Sequence, residues 1–129
     1  MVSGGLRVLL VEDSRILSDR VMELITELPG VDAIGIATTE SEAVETIVRQ
    51  QPDAVLLDLR LREGTGFGVM RRLKALNQRP VVVVMTNYNL PQYRREAEAL
   101  GVKYFVDKTQ DFEQIPVILQ GLLRGRAER

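Results

Sequence analysis

The sequence predicts a single α/β domain in which five strands of a parallel sheet alternate with five helices. Two observations lead to this prediction. Short apolar runs recur along the 129-residue chain, at 6–11, 31–37, 53–57, 80–85 and 102–106. Longer segments with helical spacing of apolar residues separate these runs. Such alternation is typical of βαβ units, whose helices cover both faces of a doubly wound sheet in three layers.

Three of the five runs are almost purely aliphatic, at 8–11, 54–57 and 81–85. Strands without polar alternation are buried on both faces, which is the usual situation in a parallel sheet. The run at 81–85 consists of four consecutive valines and a methionine, so it is the strongest candidate for a central strand.

The first two helices have clear apolar stripes and boundaries. Apolar residues of the first helix fall on one face, at Ile16, Leu17, Val21, Leu24, Ile25 and Leu28. Pro29 and Gly30 end this helix. The second helix begins at a capping box formed by Thr39 and Glu42, and it continues to Gln50.

The remaining three helices differ in how strongly they are anchored. Apolar stripes mark the third helix at Phe67, Met70, Leu73 and Leu76, and the fifth at Phe112, Ile115, Ile118, Leu119 and Leu122. Asp111 and Gln114 mark the start of the fifth helix. The fourth begins with Pro91 in its first turn and ends at Gly101. It is the least apolar of the five, which is typical of a plain surface helix and also makes it a reasonable place for movement.

Composition excludes several classes of function. The 17 basic and 18 acidic residues nearly cancel, which excludes nucleic-acid binding driven by bulk charge. The absence of cysteine and histidine excludes disulfides, thiolate or imidazole metal sites and Ser-His-Asp triads. No apolar run approaches 18 residues, so we expect no membrane span and a cytoplasmic location. One domain is expected over 6–123, with short tails at 1–5 and 124–129.

Polar side chains follow four of the strands at the points where they end. Glu12 and Asp13 follow the first strand, Asp58 the third, Thr86 the fourth and Lys108 the fifth. Ligands of open parallel sheets bind outside the carboxyl ends of the strands, so we expect these residues to converge. Taken alone, each has an ordinary explanation, such as a helix N-cap for Asp13. Their occurrence together favours a site.

The chemistry of this set points to a metal and a phosphoryl group. Three converging carboxylates repel one another, and a divalent cation relieves the repulsion. Mg²⁺ takes oxygen ligands only, commonly carboxylates, water and phosphate oxygens, and it suits phosphoryl transfer. Asp58 is the natural nucleophile because it directly follows a pure apolar strand, and it would form an aspartyl phosphate. Lys108 and Thr86 would contact the phosphoryl oxygens.

The segments that carry these residues resemble the receiver domain of two-component response regulators. The acidic pair stands at the end of segment 9–14, and segment 56–59 contains Asp58, with Gly66 a short distance beyond. Thr86 ends segment 84–86, and Lys108 ends segment 104–108. The resemblance extends from residue 6 to about residue 123. Each segment alone is a weak signal, and four in this order and spacing are specific.

The resemblance implies a flavodoxin-like fold with strand order 2-1-3-4-5. It also implies phosphorylation of Asp58 by a sensor histidine kinase or a phosphotransfer protein. Glu12, Asp13 and Asp58 would bind Mg²⁺ together with the backbone carbonyl of Arg60.

The resemblance further implies a conformational switch. Lys108 would pair with the phosphate, Thr86 would move toward it, and Phe105 would follow Thr86 inward. The face formed by the fourth helix, fifth strand and fifth helix would then bind a downstream protein, with a phosphorylation-dependent homodimer as one form of this association. Self-phosphorylation and autodephosphorylation would be the only catalysis, so we expect no enzyme acting on outside substrates, and no nucleic-acid or membrane contact by this domain.

Four departures from the family pattern stand out. Arg62 replaces a common proline, and Thr109 follows Lys108 where many members have a cis-linked proline. A cis bond before threonine costs roughly 2.5–4 kcal/mol, so we expect a trans bond there. The bulky side chains at 87–88 restrict access to the phosphoryl group. Arg60 stands where side chains usually tune dephosphorylation.

Other functions are compatible with parts of the pattern. A pseudo-receiver would use the fold as a protein-interaction module without phosphate. A flavin-binding protein would need a phosphate-cradling loop where Glu12 and Asp13 stand. A phosphatase with an aspartyl nucleophile would need a second aspartate where Arg60 stands. The chain carries no output domain, so it is expected to be a stand-alone receiver or a fragment.

Overall fold

The computed structural model describes residues 5–127. Five strands and five helices alternate in the order β1 Leu6–Val11, α1 Arg15–Thr26, β2 Val31–Ala37, α2 Glu40–Gln50, β3 Ala54–Asp58, α3 Gly66–Ala75, β4 Val81–Thr86, α4 Pro91–Ala99, β5 Tyr104–Asp107 and α5 Gln114–Ala127. This alternation confirms the predicted α/β class. The predicted tail at 1–5 lies outside the described residues except for Gly5.

All strand pairs of the sheet are parallel, and their order is β2-β1-β3-β4-β5. This order confirms the expected flavodoxin-like topology. The run at 81–85, predicted as a central strand, forms β4, which lies inside the sheet between β3 and β5. All five residues of β3 are buried, whereas Val81 at the start of β4 is 37% exposed.

Two apolar clusters pack against opposite faces of the sheet. One joins the sheet to α2, α3 and α4 and includes Ile47 and Leu73. The other joins it to α1 and α5 and includes Ile25, Ile115 and Leu119. Successive residues of a strand point to opposite faces of the sheet, so a purely aliphatic strand contributes apolar side chains to both clusters. The result is the predicted arrangement of three layers.

Local hydrogen bonds explain where the first two helices begin. The Ser14 hydroxyl accepts a bond from the Leu17 amide, so Ser14 and not Asp13 caps α1. Thr39 caps α2 by accepting from the amide of Glu42, whose carboxylate accepts from the Thr38 amide at 2.7 Å. These bonds satisfy amides that a helix start leaves without partners. The Thr39 half of the predicted capping box is therefore present, whereas Glu42 bonds the amide of Thr38 instead of that of the N-cap Thr39.

The last helix extends further than the sequence indicated. The tail was predicted to begin at residue 124, but α5 continues to Ala127. Arg126 donates to Asp53 at 2.7 Å, which ties the last turn to the start of β3. Residues 128–129 of the predicted tail lie outside the described residues.

The predictions of a trans bond after Lys108 and of no membrane span can both be compared with the structure. Every peptide bond from 5 to 127 is trans, including the bond between Lys108 and Thr109. Among the helices in this part of the chain, none has both the length and the apolar character that crossing a membrane requires.

Candidate functional site

The residues predicted to form a site lie at the carboxyl edge of the sheet. Asp58 is the last residue of β3 and Thr86 the last of β4, while Glu12 directly follows β1 and Lys108 directly follows β5. Because the strands are parallel, their carboxyl ends meet at one edge. Together with Asp13, which follows Glu12, five residues from four distant parts of the sequence are thereby brought to one surface.

Three carboxylates form a cluster at this edge. Glu12, Asp13 and Asp58 each place one carboxylate oxygen within 4.8 Å of the others. Glu12 is 1% exposed and Asp58 is 6% exposed, whereas Asp13 is open to solvent. The cluster therefore has a buried wall and one exposed side chain.

Lys108 joins two members of this cluster. Its ammonium group donates to Glu12 Oε1 at 2.7 Å and to Asp58 Oδ2 at 3.0 Å. The Lys108 side chain is itself buried, so neither ion pair is strongly screened by water. The backbone amide of Lys108 donates to the Thr86 carbonyl at 2.8 Å, which holds the residue against the end of β4.

Burial and ion pairing shift the pKa values of Glu12 and Lys108 in opposite directions. Burial raises the pKa of Glu12, although hydrogen bonds from Lys108 and from the Ser14 amide oppose the rise. Burial alone would lower the pKa of Lys108, but its hydrogen bond to Glu12 and the charge of Asp58 outweigh burial and raise it. Lys108 is therefore a permanent cation at neutral pH.

The donor set fits a hard divalent cation. Three carboxylates and one ammonium group leave two negative charges uncompensated when all four are ionised. Carboxylate oxygens are the ligand atoms that Mg²⁺ prefers, and the site contains no sulfur or imidazole donor that would favour a softer metal. Glu12, Asp13 and Asp58 could thus hold Mg²⁺, with the carbonyl of Arg60 as an additional donor.

The loop after β3, residues 59–65, is folded back on itself beside Asp58. The Arg60 amide donates to Asp58 Oδ1 at 3.2 Å, and Arg60 forms an antiparallel bridge with Thr65. The Gly66 amide donates to the Leu59 carbonyl at 3.0 Å. A Cβ atom at Gly66 would overlap the Asp58 and Leu59 backbone, so only glycine fits there.

Arg60 and Tyr88 form a contact across the site that the sequence did not predict. The Arg60 guanidinium lies 4.4 Å from the centre of the Tyr88 ring and donates to its hydroxyl at 3.0 Å. The Tyr88 amide donates to the Thr86 hydroxyl at 2.9 Å. The sequence identified Arg60 and Tyr88 separately as departures from the pattern, but their separation of 28 residues hides the pair.

The two residues predicted to form the switch lie on neighbouring strands. Thr86 is fully buried, and Phe105 is half-buried against the layer of α2, α3 and α4. The guanidinium of Arg94 in α4 lies 4.5 Å from the centre of the Phe105 ring. Phe105 therefore contacts α4 itself, while Thr86 contacts the loop before α4 through the amide of Tyr88.

Asp107 has a structural role that the sequence did not indicate. Its carboxylate accepts from the Thr109 amide at 2.8 Å and from the Thr109 hydroxyl at 2.6 Å. These bonds lower the pKa of Asp107. They also fix the turn that follows Lys108. An Asp two residues before a Thr at a strand end is a signal for such a turn.

Comparison with known proteins identifies the protein family to which a chain with this fold and this acidic site belongs. The family model described as the response regulator receiver domain matches residues 8–120. The chain belongs to this family of two-component signalling domains. Members of the family bind Mg²⁺ at an acidic pocket, and the Glu12, Asp13 and Asp58 cluster occupies the corresponding edge of this chain.

Individual relatives are similar over the receiver portion. The sensory transduction protein LytT of Enterococcus faecalis is 28% identical over 115 residues, which are 89% of this chain and 47% of that protein. LytT of Bacillus anthracis is 31% identical over 110 residues, which are 85% of this chain and 44% of that protein. The chain thus spans about half the length of these relatives.

Solved structures share the fold. The response regulator domain of Thermotoga maritima CheB superposes with a TM-score of 0.79 at 22% identity, covering 97% of this chain and 98% of that one. A chain of the CheX-CheY-BeF3-Mg+2 complex of Borrelia burgdorferi has a TM-score of 0.82 at 20% identity, covering 91% and 88%.

Proposed function

We propose that this chain is a phosphorylation-driven switch that accepts a phosphoryl group on Asp58 in a Mg²⁺-dependent phosphorelay. The observation that carries the proposal is the buried group formed by Lys108, Glu12 and Asp58, with Asp13 beside it. Burying these charged groups costs desolvation free energy, because they lose their hydration. Such a cost is expected where the charged groups serve a function.

The proposed reaction forms one bond and breaks one. A carboxylate oxygen of Asp58 attacks the phosphorus atom of a phosphohistidine or of an acyl phosphate. The bond from phosphorus to the donor breaks, and the leaving group takes its electron pair and later a proton. Lys108, at 3.0 Å from Asp58, is placed to neutralise charge on the phosphoryl oxygens.

The carboxylates of Glu12 and Asp13 serve this reaction by holding Mg²⁺ together with Asp58 and the Arg60 carbonyl. When bound, the ion supplies charge neutralisation and alignment of the phosphoryl oxygens. The loop 59–65 keeps the Arg60 amide on Asp58, so the nucleophilic carboxylate has a fixed orientation before the donor arrives.

The proposed output follows from Thr86 and Phe105. A hydroxyl that leaves the Tyr88 amide to bond the phosphoryl group would release the loop before α4. Phe105 would then repack against α4 and change the face formed by α4, β5 and α5. A phosphoryl group can shift this equilibrium only as far as it binds one state better than the other.

The proposed partners follow from the same chemistry. A sensor histidine kinase or a phosphotransfer protein would supply the phosphoryl group, and a downstream protein or a second copy of the chain would bind the α4-β5-α5 face. Catalysis would be limited to the chain's own Asp58. The cytoplasmic location stays a prediction from the sequence.

A second function, that of a pseudo-receiver, is favoured by one observation. Lys108 already bonds Glu12 and Asp58, so both buried carboxylates have a cationic partner without a metal ion or a phosphoryl group. A site satisfied in this way could serve as a fixed scaffold for protein contact. The two functions differ in whether Asp58 reacts.

Intact mass measured after incubation with a small acyl-phosphate donor distinguishes them. We expect a phosphoryl adduct on the wild type in the presence of Mg²⁺, and none without Mg²⁺ or with Asp58→Asn. Asp32→Asn, an exposed aspartate of β2, is the matched control and should react like the wild type. The absence of an adduct from the wild type, in a preparation shown to bind Mg²⁺, would favour the pseudo-receiver.

A further inference from the structure

Beyond the acidic cluster, one carboxylate is built into the loop that borders it. We infer that Glu40, the first residue of α2, is a positioning residue for the metal site. The inference rests on the proposed function, because it concerns how the loop 59–65 presents the Arg60 carbonyl and orients Asp58.

Glu40 holds this loop by backbone and side chain together. Its amide donates to the Glu63 carbonyl at 2.9 Å, and its Oε1 accepts from the Thr65 amide at 3.1 Å. Its Oε2 lies 3.5 Å from the guanidinium of Arg72 in α3. Glu40 therefore connects the start of α2 to both ends of the turn at 63–65, to Glu63 by its backbone amide and to Thr65 by its side chain.

The space around Glu40 is shaped for its side chain. A Cβ atom at Gly64 or at Gly68 would overlap the Glu40 side chain. Gly64 also has a φ of 84°, a conformation that residues with a side chain rarely adopt. The loop and the first turn of α3 thus lack side chains at the two positions nearest the carboxylate.

Two backbone links lead from Glu40 to the nucleophile. Thr65, whose amide Glu40 holds, is bridged to Arg60 on the other side of the loop. Arg60 in turn donates its amide to Asp58 Oδ1 at 3.2 Å. If the Thr65 amide loses its acceptor, we expect the bridge between Arg60 and Thr65 to loosen. The Arg60 carbonyl is then less well placed to bind Mg²⁺.

A neighbouring glutamate provides the matched control. Glu42 lies in the same first turn of α2 and carries the same charge, so it interacts similarly with the helix dipole. Its carboxylate accepts from the Thr38 amide at 2.7 Å and thus holds the segment before α2. Among the described residues it makes no bond to the backbone of the loop 59–65, and Thr38 meets the loop through an exposed 3.4 Å bond from the Arg62 side chain. Removing the Glu42 side chain should perturb α2 without moving the loop.

The experiment compares Glu40→Ala, Glu40→Gln and Glu42→Ala with the wild type. Amide NMR spectra report the dissociation constant of Mg²⁺, and the rate of acyl-phosphate labelling is followed against Mg²⁺ concentration. We expect Glu40→Ala to raise the dissociation constant about tenfold, at the low end of the effects seen for residues that orient metal ligands. Labelling at saturating Mg²⁺ should return to the wild-type rate.

The conservative variant separates positioning from charge. In Glu40→Gln the side-chain amide oxygen can still accept from Thr65, so this variant should bind Mg²⁺ within about threefold of the wild type, and Glu42→Ala should match it. Equal weakening in Glu40→Gln and Glu40→Ala would overturn the inference, because the lost charge would then be the cause. Equal weakening in Glu42→Ala would overturn it as well, because damage to α2 would explain the result.

The outcomes also distinguish this inference from the proposed function. Wild-type protein that binds Mg²⁺ and reacts on Asp58, together with a Glu40→Ala variant that binds Mg²⁺ equally well, would reject the inference alone. Wild-type protein that binds no Mg²⁺ would reject both. Urea unfolding of each variant shows that binding is compared between folded proteins. If Glu40→Ala does not fold, Glu40→Met takes its place, because it fills a similar space but offers no acceptor to the Thr65 amide.

Discussion

At the scale of single residues, Lys108 controls the charge balance of the site. It is buried and bonded to two carboxylates that lie 96 and 50 residues away in the sequence. A buried ion pair contributes little net stability compared with an apolar pair, but loss of one partner leaves an uncompensated buried charge. The consequences of removing Lys108 should therefore be large and should depend on Mg²⁺.

We expect Lys108→Met to lower the free energy of unfolding by about 3 kcal/mol without Mg²⁺. Added Mg²⁺ should recover part of this loss, because a divalent cation neutralises the carboxylates that the ammonium group no longer pairs with. Urea unfolding with and without Mg²⁺ measures both effects. Lys103→Met, at an exposed lysine, is the control. A loss of stability in Lys108→Met that Mg²⁺ leaves unchanged would contradict this expectation.

Asp107 makes a second contribution at this scale, and it depends on pH. Hydrogen bonds from Thr109 place its folded-state pKa below its unfolded value. A carboxyl group with a lowered pKa stabilises the fold above its unfolded pKa of about 4, and it loses this contribution as pH falls through the folded-state value. Asp107→Asn keeps an oxygen acceptor for Thr109 but cannot titrate.

The stability of Asp107→Asn should therefore fall less steeply than that of the wild type as pH decreases below about 4. Urea unfolding over a series of acidic pH values measures the slope for both proteins. Parallel slopes would mean that the turn at Asp107 does not contribute to acid unfolding.

At the scale of elements, α4 is the helix least anchored to the rest of the domain. Ala97 is its one buried residue, and its N-cap Leu90 makes no side-chain capping bond. A further tie is the contact of Arg94 with Phe105. A helix with so few buried contacts has a low local free energy of opening, which suits an element that must change position.

Thr86→Ala tests whether this helix is coupled to the site. The variant should still accept a phosphoryl group on Asp58, but the change of amide hydrogen exchange in α4 on phosphorylation should be reduced. The cause is the missing hydroxyl, which in the wild type bonds the Tyr88 amide and can transfer to the phosphoryl group. Thr86→Ser retains the hydroxyl and should respond like the wild type. A full response in Thr86→Ala would reject the coupling.

At the scale of the whole molecule, the sheet separates two independent apolar layers. Ile47 lies in the layer of α2 and Ile115 in the layer of α5, and each is almost fully buried. Residues without shared neighbours contribute additively to stability. The two layers should therefore respond to mutation without influencing each other.

Ile47→Val and Ile115→Val should each lower the free energy of unfolding by about 1 kcal/mol. The double variant should lose the sum of the two values to within about 0.5 kcal/mol. Urea unfolding of the three variants provides the comparison. A clear departure from the sum would show that strain passes through the sheet from one layer to the other.

The predictability of this molecule from its sequence follows from the range of the interactions. Strand runs, apolar stripes and the residues at strand ends are local, so the order of elements and the position of Asp58 could be predicted. The contact between Asp53 and Arg126 in the last turn of α5 joins residues 73 positions apart. The Arg60 and Tyr88 pair and the fit of Glu40 between two glycines likewise depend on tertiary packing. The periodic pattern of apolar residues in the sequence does not predict such contacts.

The place of each strand in the sheet could not be derived from its own composition. An aliphatic run indicates burial, but the order of the strands depends on which crossovers the chain makes. The order 2-1-3-4-5 comes from the resemblance to receiver domains, and the sheet has this order.

The contact between Arg60 and Tyr88 has a practical consequence for observing the protein. The chain has no tryptophan and three tyrosines, so phenol emission is not masked by indole. Tyr93 packs on Phe67, and Tyr104 lies at the opposite edge of the sheet, at the start of β5. Tyr88 is the tyrosine whose ring contacts Arg60 and whose amide bonds the Thr86 hydroxyl. Its ultraviolet signal is a label that the protein already carries, and movement of the guanidinium would be visible without any attached dye.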